Sequence, residues 1–308
     1  MDKFLYLYLI VFCVTQTDSL YAEGTNITRN GQPASENQFS YMVSLQRLSL
    51  IHDDTRGHGC GGALVTLQHA VTAAACTIAA FDGENITLIN RDQFRVFAGS
   101  ALLTNDNDDR VRRIANIVIH PEFNLTNSRF FNDIGVIILG IPFLSSTVAP
   151  LTVKDIGTTE HVRCTTLGWG RNNTQLMHAR MTAPNVTMCS ILLSLTRNTM
   201  CGLPFSDLGC PGDQGSPLIC YDSLVGILIN TRGCTANTPV AQLFIRVSHY
   251  ASWIDSVIAL PVPELGPEPP TVPPPTTTTP APGVASTAQP GVTLLAVVVI
   301  ALMGLLPG

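Results

Sequence analysis

Charge is scarce in this chain of 308 residues, because Asp, Glu, Lys and Arg together make up only 13 % of it. A soluble domain ordinarily has about a quarter of its residues charged. The formal net charge of -5 argues against a nucleic-acid partner, which would require a basic surface. N-linked glycans would supply the missing surface polarity. The chain has five Asn-X-Ser/Thr sequons, at Asn26, Asn85, Asn124, Asn172 and Asn185.

The N-terminus has the pattern of a secretory signal peptide. An apolar run from Phe4 to Val14 follows Lys3, and small and polar residues come after it. We assign residues 1–20 to this signal, with cleavage between Thr17 and Ala22. Of nine cysteines, Cys13 lies in the signal, which leaves eight for an oxidising compartment. Eight cysteines allow 105 pairings, and their spacing alone does not choose among them.

Amphipathic helices are also scarce between residues 28 and 260, where short β-type runs alternate with turn residues. This pattern predicts an antiparallel all-β sandwich or a pair of barrels. A closing helix is predicted from Tyr250 to Leu260, where apolar residues recur at helical spacing. The predicted strands include Tyr41 to Gln46, Phe94 to Ala98, Ile114 to Ile119, Ile134 to Leu139, Leu224 to Ile229 and Leu243 to Val247.

The composition changes at Pro261. Residues 261–290 are rich in Pro and Thr and lack the apolar residues of a core, so they predict an extended stalk. Residues 291–308 are apolar, but a transmembrane helix there would be short, and no Lys or Arg follows it. A GPI-attachment signal fits better, with Gly283 or Ser286 as the attachment residue and the apolar tail removed. We therefore expect a protein anchored at the extracellular face of the plasma membrane.

Several short segments in the region 28–260 stand in a distinctive order and spacing. They are 41–46 (YMVSLQ), 60–64 (CGGAL), 71–76 (VTAAAC), 132–134 (NDI), 167–170 (LGWG), 212–218 (GDQGSPL) and 252–254 (SWI). Together they resemble the trypsin and chymotrypsin family of serine proteases. The resemblance implies two six-stranded antiparallel β-barrels with a C-terminal helix and a site between the barrels. It also implies the disulfides Cys60–Cys76, Cys164–Cys220, Cys189–Cys201 and Cys210–Cys234.

Two of the three catalytic positions of that family hold other residues here. The position of the catalytic histidine is Ala75, the position of the nucleophilic serine is Gln214, and only the acid, Asp133, is retained. An amide does not attack a carbonyl as an activated hydroxyl does. The resemblance thus implies a fold kept without its reaction.

The substrate-binding positions differ as well. The resemblance places Leu208 at the floor of the specificity pocket, Gln242 at its wall and Thr231 on the strand that pairs with substrate. The serine that would hydrogen-bond the triad acid is replaced by Ile229. We therefore expect backbone donors or water around Asp133, or a raised pKa of its carboxyl.

Activation by cleavage is not expected, because no basic residue stands at the cut site before Thr28 and a sequon lies at Asn26. In zymogens of the family, the Asp before the nucleophile is held by a histidine and a serine. The matching residues here are Asp213, His58 and Ser44. The hypothesis is that they hold the turn permanently in a zymogen-like state, since a buried carboxylate needs a donor.

Other candidate sites are weaker. His69 is interpreted as a packed strand residue, and the acidic residues Asp106, Asp108 and Asp109 as a solvated loop near the one that binds calcium in some relatives. Arg112 and Arg113 are interpreted as surface charge. No cofactor and no metal site are predicted.

Two hypotheses of function remain. The favoured one is a non-catalytic serine protease homologue that binds proteins at the cell surface, as a decoy, co-receptor or cofactor for a protease or its ligand. The alternative is a serine-type hydrolase with a non-standard nucleophile such as Ser216.

Overall fold

A computed structural model describes residues 31–82, 85–126, 129–157, 162–170, 173–183, 197–204, 213–230 and 241–267. The six strands of the first barrel are β2 (Met42–Arg47), β3 (His58–Leu64), β4 (His69–Thr72), β7 (Phe94–Ala98), β8 (Val111–Ile119) and β11 (Gly135–Leu139). They close in the order β11-β4-β3-β2-β7-β8, with antiparallel pairing throughout. The predicted Phe94 to Ala98 strand is observed with the same bounds.

A second barrel follows in the chain. Its strands are β12 (Val162–Gly168), β13 (Met177–Ala183), β14 (Thr199–Pro204), β15 (Pro217–Cys220), β16 (Ser223–Asn230) and β17 (Gln242–Arg246). They run in the order β13-β12-β15-β16-β17-β14, and pairing of β13 with β14 closes the ring. Strand β1 (Gln32–Pro33) adds to the outside of β13. The two six-stranded barrels predicted from the resemblance are thus confirmed.

The remaining elements are short. Two hairpins lie outside the barrels, β5–β6 (Ile78–Asp82 and Asn85–Leu88) and β9–β10 (Asn124–Thr126 and Arg129–Phe131). Single 3-10 turns cover Leu48–Leu50, Ala74–Thr77, Arg91–Gln93 and Val247–Tyr250. The closing helix α1 (Ala251–Ile258) buries Ile254 and Val257 on one face, as its spacing predicted. In the described part of the chain, no helix is both long and apolar enough to cross a membrane.

Burial explains why these segments form strands. All five residues of β11 are buried, so both of its faces pack in the interior, whereas buried and partly exposed positions alternate along much of β8. One cluster of buried side chains fills the first barrel, a second fills the other barrel, and a third, which includes Trp169, connects them. The disulfides Cys60–Cys76 and Cys164–Cys220 are present, and Cys201 is also disulfide-bonded. Its implied partner Cys189 and the implied pair Cys210–Cys234 lie outside the described residues.

The chain continues beyond α1 along the first barrel. We call residues 261–267 the C-terminal strap. Leu265 packs on Gly140 so closely that a Cβ added to that glycine would lie 2.4 Å from Leu265 Cδ1. Arg113 in β8 donates a hydrogen bond to the carbonyl of Pro267 at 2.9 Å. The beginning of the predicted stalk therefore lies on the barrel surface.

Candidate functional site

The turn over residues 213–217 leads into β15 of the second barrel and packs against β3 of the first. Gly215 has a φ of +86°, and a Cβ there would lie 2.3 Å from the carbonyl oxygen of Gly61. The amide of Gly61 donates to the carbonyl of Gln214 at 2.8 Å, and the hydroxyl of Thr72 donates to the carbonyl of Gly61 at 2.7 Å. The backbone of the turn is thus fixed against β3, independently of the side chain at position 214.

Ser216, the nucleophile in the alternative hypothesis, is buried beneath this turn. Its exposure is 0 %, and its Oγ accepts a hydrogen bond from the backbone amide of Asp213 at 3.2 Å. A Cβ added to Gly61 would lie only 2.3 Å from that oxygen. The hydroxyl therefore faces packed backbone, and the turn would have to open before a substrate could reach it.

Donors surround the carboxylate of Asp213. The backbone amides of Trp169 and Gly170 donate to its Oδ2 and Oδ1 at 2.7 and 2.8 Å. His58 Nε2 lies 2.9 Å from Oδ2, although without the alignment of a regular hydrogen bond, and His58 Nδ1 lies 2.7 Å from Ser44 Oγ. The structure thus brings the three residues of the zymogen-like hypothesis into contact.

These groups are shielded from water, which makes their pairing important. Ser44 is fully buried, and the side chains of His58 and Asp213 are only 2 % and 10 % exposed. The imidazole also packs edge-on against Trp169, with ring centroids 5.3 Å apart. A carboxylate with so little solvation is costly unless it is paired, and the amides and the imidazole provide that pairing.

Asp133 is the one residue retained from the implied triad, and it is fully buried. Its Oδ1 accepts a hydrogen bond from the amide of Ala75 at 2.8 Å. Burial raises the pKa of Asp133 to about 7, against the lowering effect of the amides of Ala75 and Ala74 and of the Gln214 side chain. The backbone donor and the raised pKa confirm what the loss of the usual partners led us to expect.

The second oxygen of this carboxyl has a different environment. Asp133 Oδ2 is buried and makes no hydrogen bond of regular geometry within the described residues. The side-chain amide of Gln214 also faces this carboxyl and lowers its pKa. Ala75 and Gln214, at the positions implied for base and nucleophile, thus both adjoin the acid, and neither side chain is a base or a nucleophile.

The predicted pocket residues are only partly described. Gln242 begins β17 and is 2 % exposed, and Ile229 in β16 is 9 % exposed. Leu208 and Thr231 lie outside the described residues. Two sequon asparagines, Asn85 and Asn124, begin β6 and β9 and are exposed, whereas Asn26, Asn172 and Asn185 lie outside the description, as do Gly283 and Ser286.

The interpretation of Arg112 as surface charge is wrong. The residue is only 6 % exposed, and its guanidinium lies 4.5 Å from the ring centroid of Phe143. It donates hydrogen bonds to the carbonyls of Pro142 and Asp108, so it packs as part of the barrel wall. Arg113 is partly exposed, near Asp92 at 3.7 Å.

The solvated-loop interpretation is wrong for Asp106. Its side chain is only 11 % exposed and forms hydrogen-bonded ion pairs with Arg56, at 2.7 Å, and with Arg95. Burial alone would raise the pKa of Asp106, but these two arginines hold it below its usual value. Among the described residues, no three His, Cys, Asp or Glu side chains are grouped to hold a metal ion. His69 is buried and bonded to Thr66 Oγ1 at 2.7 Å, in agreement with a packed strand histidine.

Comparison with known proteins extends over most of this structure. The family profile described as Trypsin matches residues 28–254. Mouse chymotrypsin-C is 33 % identical over 254 residues, which cover 75 % of this chain and 88 % of that protein. Human chymotrypsin-like elastase family member 1 is 29 % identical over 265 residues, or 79 % of this chain and 94 % of that protein.

Solved structures agree in fold. Neuropsin, a serine protease expressed in the limbic system of mouse brain, gives a TM-score of 0.61 at 21 % identity, over 74 % of this chain and 98 % of that chain. An atomic-resolution structure of HBP gives a TM-score of 0.59 at 23 % identity, over 77 % and 99 % of the two chains. At these identities the likeness concerns the arrangement of the two barrels.

Proposed function

Because the chain belongs to the trypsin family of serine proteases, we propose that it is a member without catalytic activity, which serves as a binding module at the cell surface. The observation that carries this proposal is the environment of Asp133. The two positions where the family has its base and nucleophile adjoin this acid as Ala75 and Gln214. In a protease with this triad, loss of either the nucleophile or the base alone costs roughly a million-fold in turnover.

The turn around the nucleophile position supports a structural use of the same residues. Gly215 and Gly61 keep the backbone in place. Asp213 is held by two backbone amides and by His58, whose other ring nitrogen is bonded to Ser44. Such a turn keeps its shape without a new N-terminus to pair with Asp213. This agrees with the lack of a basic residue at the expected cut site.

The partner we propose is a protein, either an active protease or its ligand. A protease fold without turnover would hold such a ligand without cutting it, as a decoy, co-receptor or cofactor. The predicted signal peptide, sequons, stalk and GPI signal would present the domain outside the cell.

A fluorophosphonate probe tests the catalytic part of the proposal. The purified glycosylated ectodomain should remain unlabelled under conditions that label mouse chymotrypsin-C quantitatively, since the probe reports an activated serine. Covalent labelling of the wild type would refute inactivity. If Ser216→Ala then abolished that labelling while Ser44→Ala did not, the alternative hydrolase with Ser216 as its nucleophile would be established.

The anchor needs its own experiment. Cells that express the full chain should release it on treatment with phosphatidylinositol-specific phospholipase C. The control is Gly283 and Ser286 replaced together by bulky residues, which should prevent anchoring. Retention of the wild type after the lipase treatment would favour a membrane span over a GPI anchor.

A further inference from the structure

An exposed phenylalanine lies beside a sequon asparagine on the hairpin β9–β10, outside both barrels. Phe131 ends β10 and is 38 % exposed, and Asn124 begins β9 and is exposed as well. In the antiparallel pairing of the two strands, Asn124 lies directly opposite Phe131. Directly opposed residues of an antiparallel pair project from the same face, with Cβ atoms about 4.5 to 5.5 Å apart. The two side chains are therefore neighbours at the surface.

The end of the hairpin that carries this pair is held to the rest of the domain. Asn132, the residue after Phe131, has a left-handed backbone with a φ of +49°. Its side-chain amide donates to the carbonyl of Glu122 at 2.8 Å, and its Oδ1 accepts a hydrogen bond from the hydroxyl of Tyr250 at 2.8 Å. The ring of Phe131 thus projects from a fixed backbone, which lowers the entropic cost of covering it.

An N-linked sugar on Asn124 has the chemistry to cover this ring. The pyranose of N-acetylglucosamine presents C–H groups on its face and hydroxyl groups at its rim. The face can therefore pack on an aromatic ring while the hydroxyl groups stay in water. We propose that the first N-acetylglucosamine of a glycan on Asn124 packs on the ring of Phe131 and becomes a fixed part of the hairpin surface.

The sugar in this position borders the candidate site. Phe131 is two residues before Asp133, and two residues span at most about 7 Å of chain. The stem of the glycan therefore stands close to the surroundings of this acid. It would limit the approach of a bulky partner from the side of the hairpin.

The hairpin β5–β6 offers a matched control within the same chain. Asn85 begins β6, is exposed and belongs to a sequon, but its partner in the antiparallel pairing is Asp82. A sugar on Asn85 has no aromatic ring opposite it. Comparison of the two hairpins therefore separates contact with a ring from the general effects of a glycan.

The first experiment is a double-mutant cycle on the secreted ectodomain, with glycan occupancy measured by mass spectrometry. Thr126→Ala removes the glycan and keeps Asn124, and it should lower the Tm by about 2 to 4 °C, as one weak contact does in a domain of this size. Phe131→Ala should lower the Tm by a similar amount. The double variant should lose no more than either single variant. Thr87→Ala, which removes the glycan on Asn85, should leave the Tm unchanged.

A second measurement observes the contact itself by NMR on carbon-13-labelled glycans. The aromatic ring should shift the protons of the first sugar on Asn124 upfield in wild type. In Phe131→Ala these signals should move to the positions of the Asn85 sugar, whereas Phe131→Trp should keep them upfield. Equal sugar shifts in wild type and Phe131→Ala, additive Tm losses in the cycle, an equal loss in Thr87→Ala, or an unoccupied Asn124 would overturn the proposal.

Discussion

The buried carboxyl of Asp133 should give the domain a pH-dependent stability that a single substitution removes. The pKa of this group is raised from 3.8 to about 7 in the folded chain, mainly by burial. The unfolded chain therefore releases the proton first, and between these two values the folded chain binds more protons. The free energy of unfolding must then fall as the pH rises from about 4 to about 7, and it changes little from this source above pH 7.

The magnitude follows from the same two values. A pKa difference of one between folded and unfolded chain corresponds to about 1.4 kcal/mol, so the rise from 3.8 to about 7 corresponds to about 4 kcal/mol at pH 8. Asp133→Asn keeps the acceptor for the amide of Ala75 and carries no charge at any pH. The variant should match wild type near pH 4 and exceed its stability by up to about 4 kcal/mol at pH 8.

The assay is urea unfolding of the purified ectodomain at intervals from pH 4 to pH 8. Asp255→Asn, in the exposed face of α1, serves as the matched control and should track wild type. Other titrating groups are common to all three proteins and cancel in the differences between them. A raised pKa at Asp133 would be refuted if the difference in unfolding free energy between Asp133→Asn and wild type stayed constant with pH. It would also be refuted if the wild type became the more stable of the two as the pH rises.

Three further outcomes follow from the contacts. Gly215→Ala should cost more than about 3 kcal/mol of unfolding free energy, because φ is +86° and the new Cβ would meet the carbonyl of Gly61; an unchanged Tm would contradict this. Arg95→Met should lower the free energy of unfolding by roughly 2 to 3 kcal/mol, because it removes one partner of Asp106. EDTA should leave the wild-type Tm unchanged, because two arginines rather than a cation neutralise that carboxylate. His58→Leu should lower the free energy of unfolding by about 2 kcal/mol in chemical denaturation, since Asp213 loses its imidazole, and a neutral effect would mean that the two amides suffice.

Local pattern predicted those parts of the fold in which burial is periodic or continuous. The strand over Phe94 to Ala98 was predictable because four of its five residues are apolar, and β11 because it is a continuous run of glycine and branched apolar residues. The hairpins β5–β6 and β9–β10 are not among the strands named from the sequence, and each pairs only within itself, outside both barrels.

Part of the candidate site could likewise be predicted from the sequence, and part could not. The environment of Asp133 was predictable because the substitutions at Ala75 and Ile229 remove side-chain partners and leave burial in place. The amides of Trp169 and Gly170 that bind Asp213 could not be predicted from the sequence. Every residue except proline has a backbone amide donor, and only the fold decides which ones point towards this carboxylate. The burial of Arg112 over Phe143 likewise depends on a contact between residues far apart in sequence.

If the proposed GPI anchor holds the C-terminus, tension enters the domain through the C-terminal strap. Asp133 precedes the five-residue strand β11 and Gly140 follows it, so at about 3.3 Å per residue the strap meets the barrel roughly 20 Å from the acid. A pull on the C-terminus would first load Leu265 on Gly140 and the hydrogen bond from Arg113 to Pro267. These contacts would separate before force reached Asp133, so the surroundings of this acid would stay undistorted while the proposed tether is stretched.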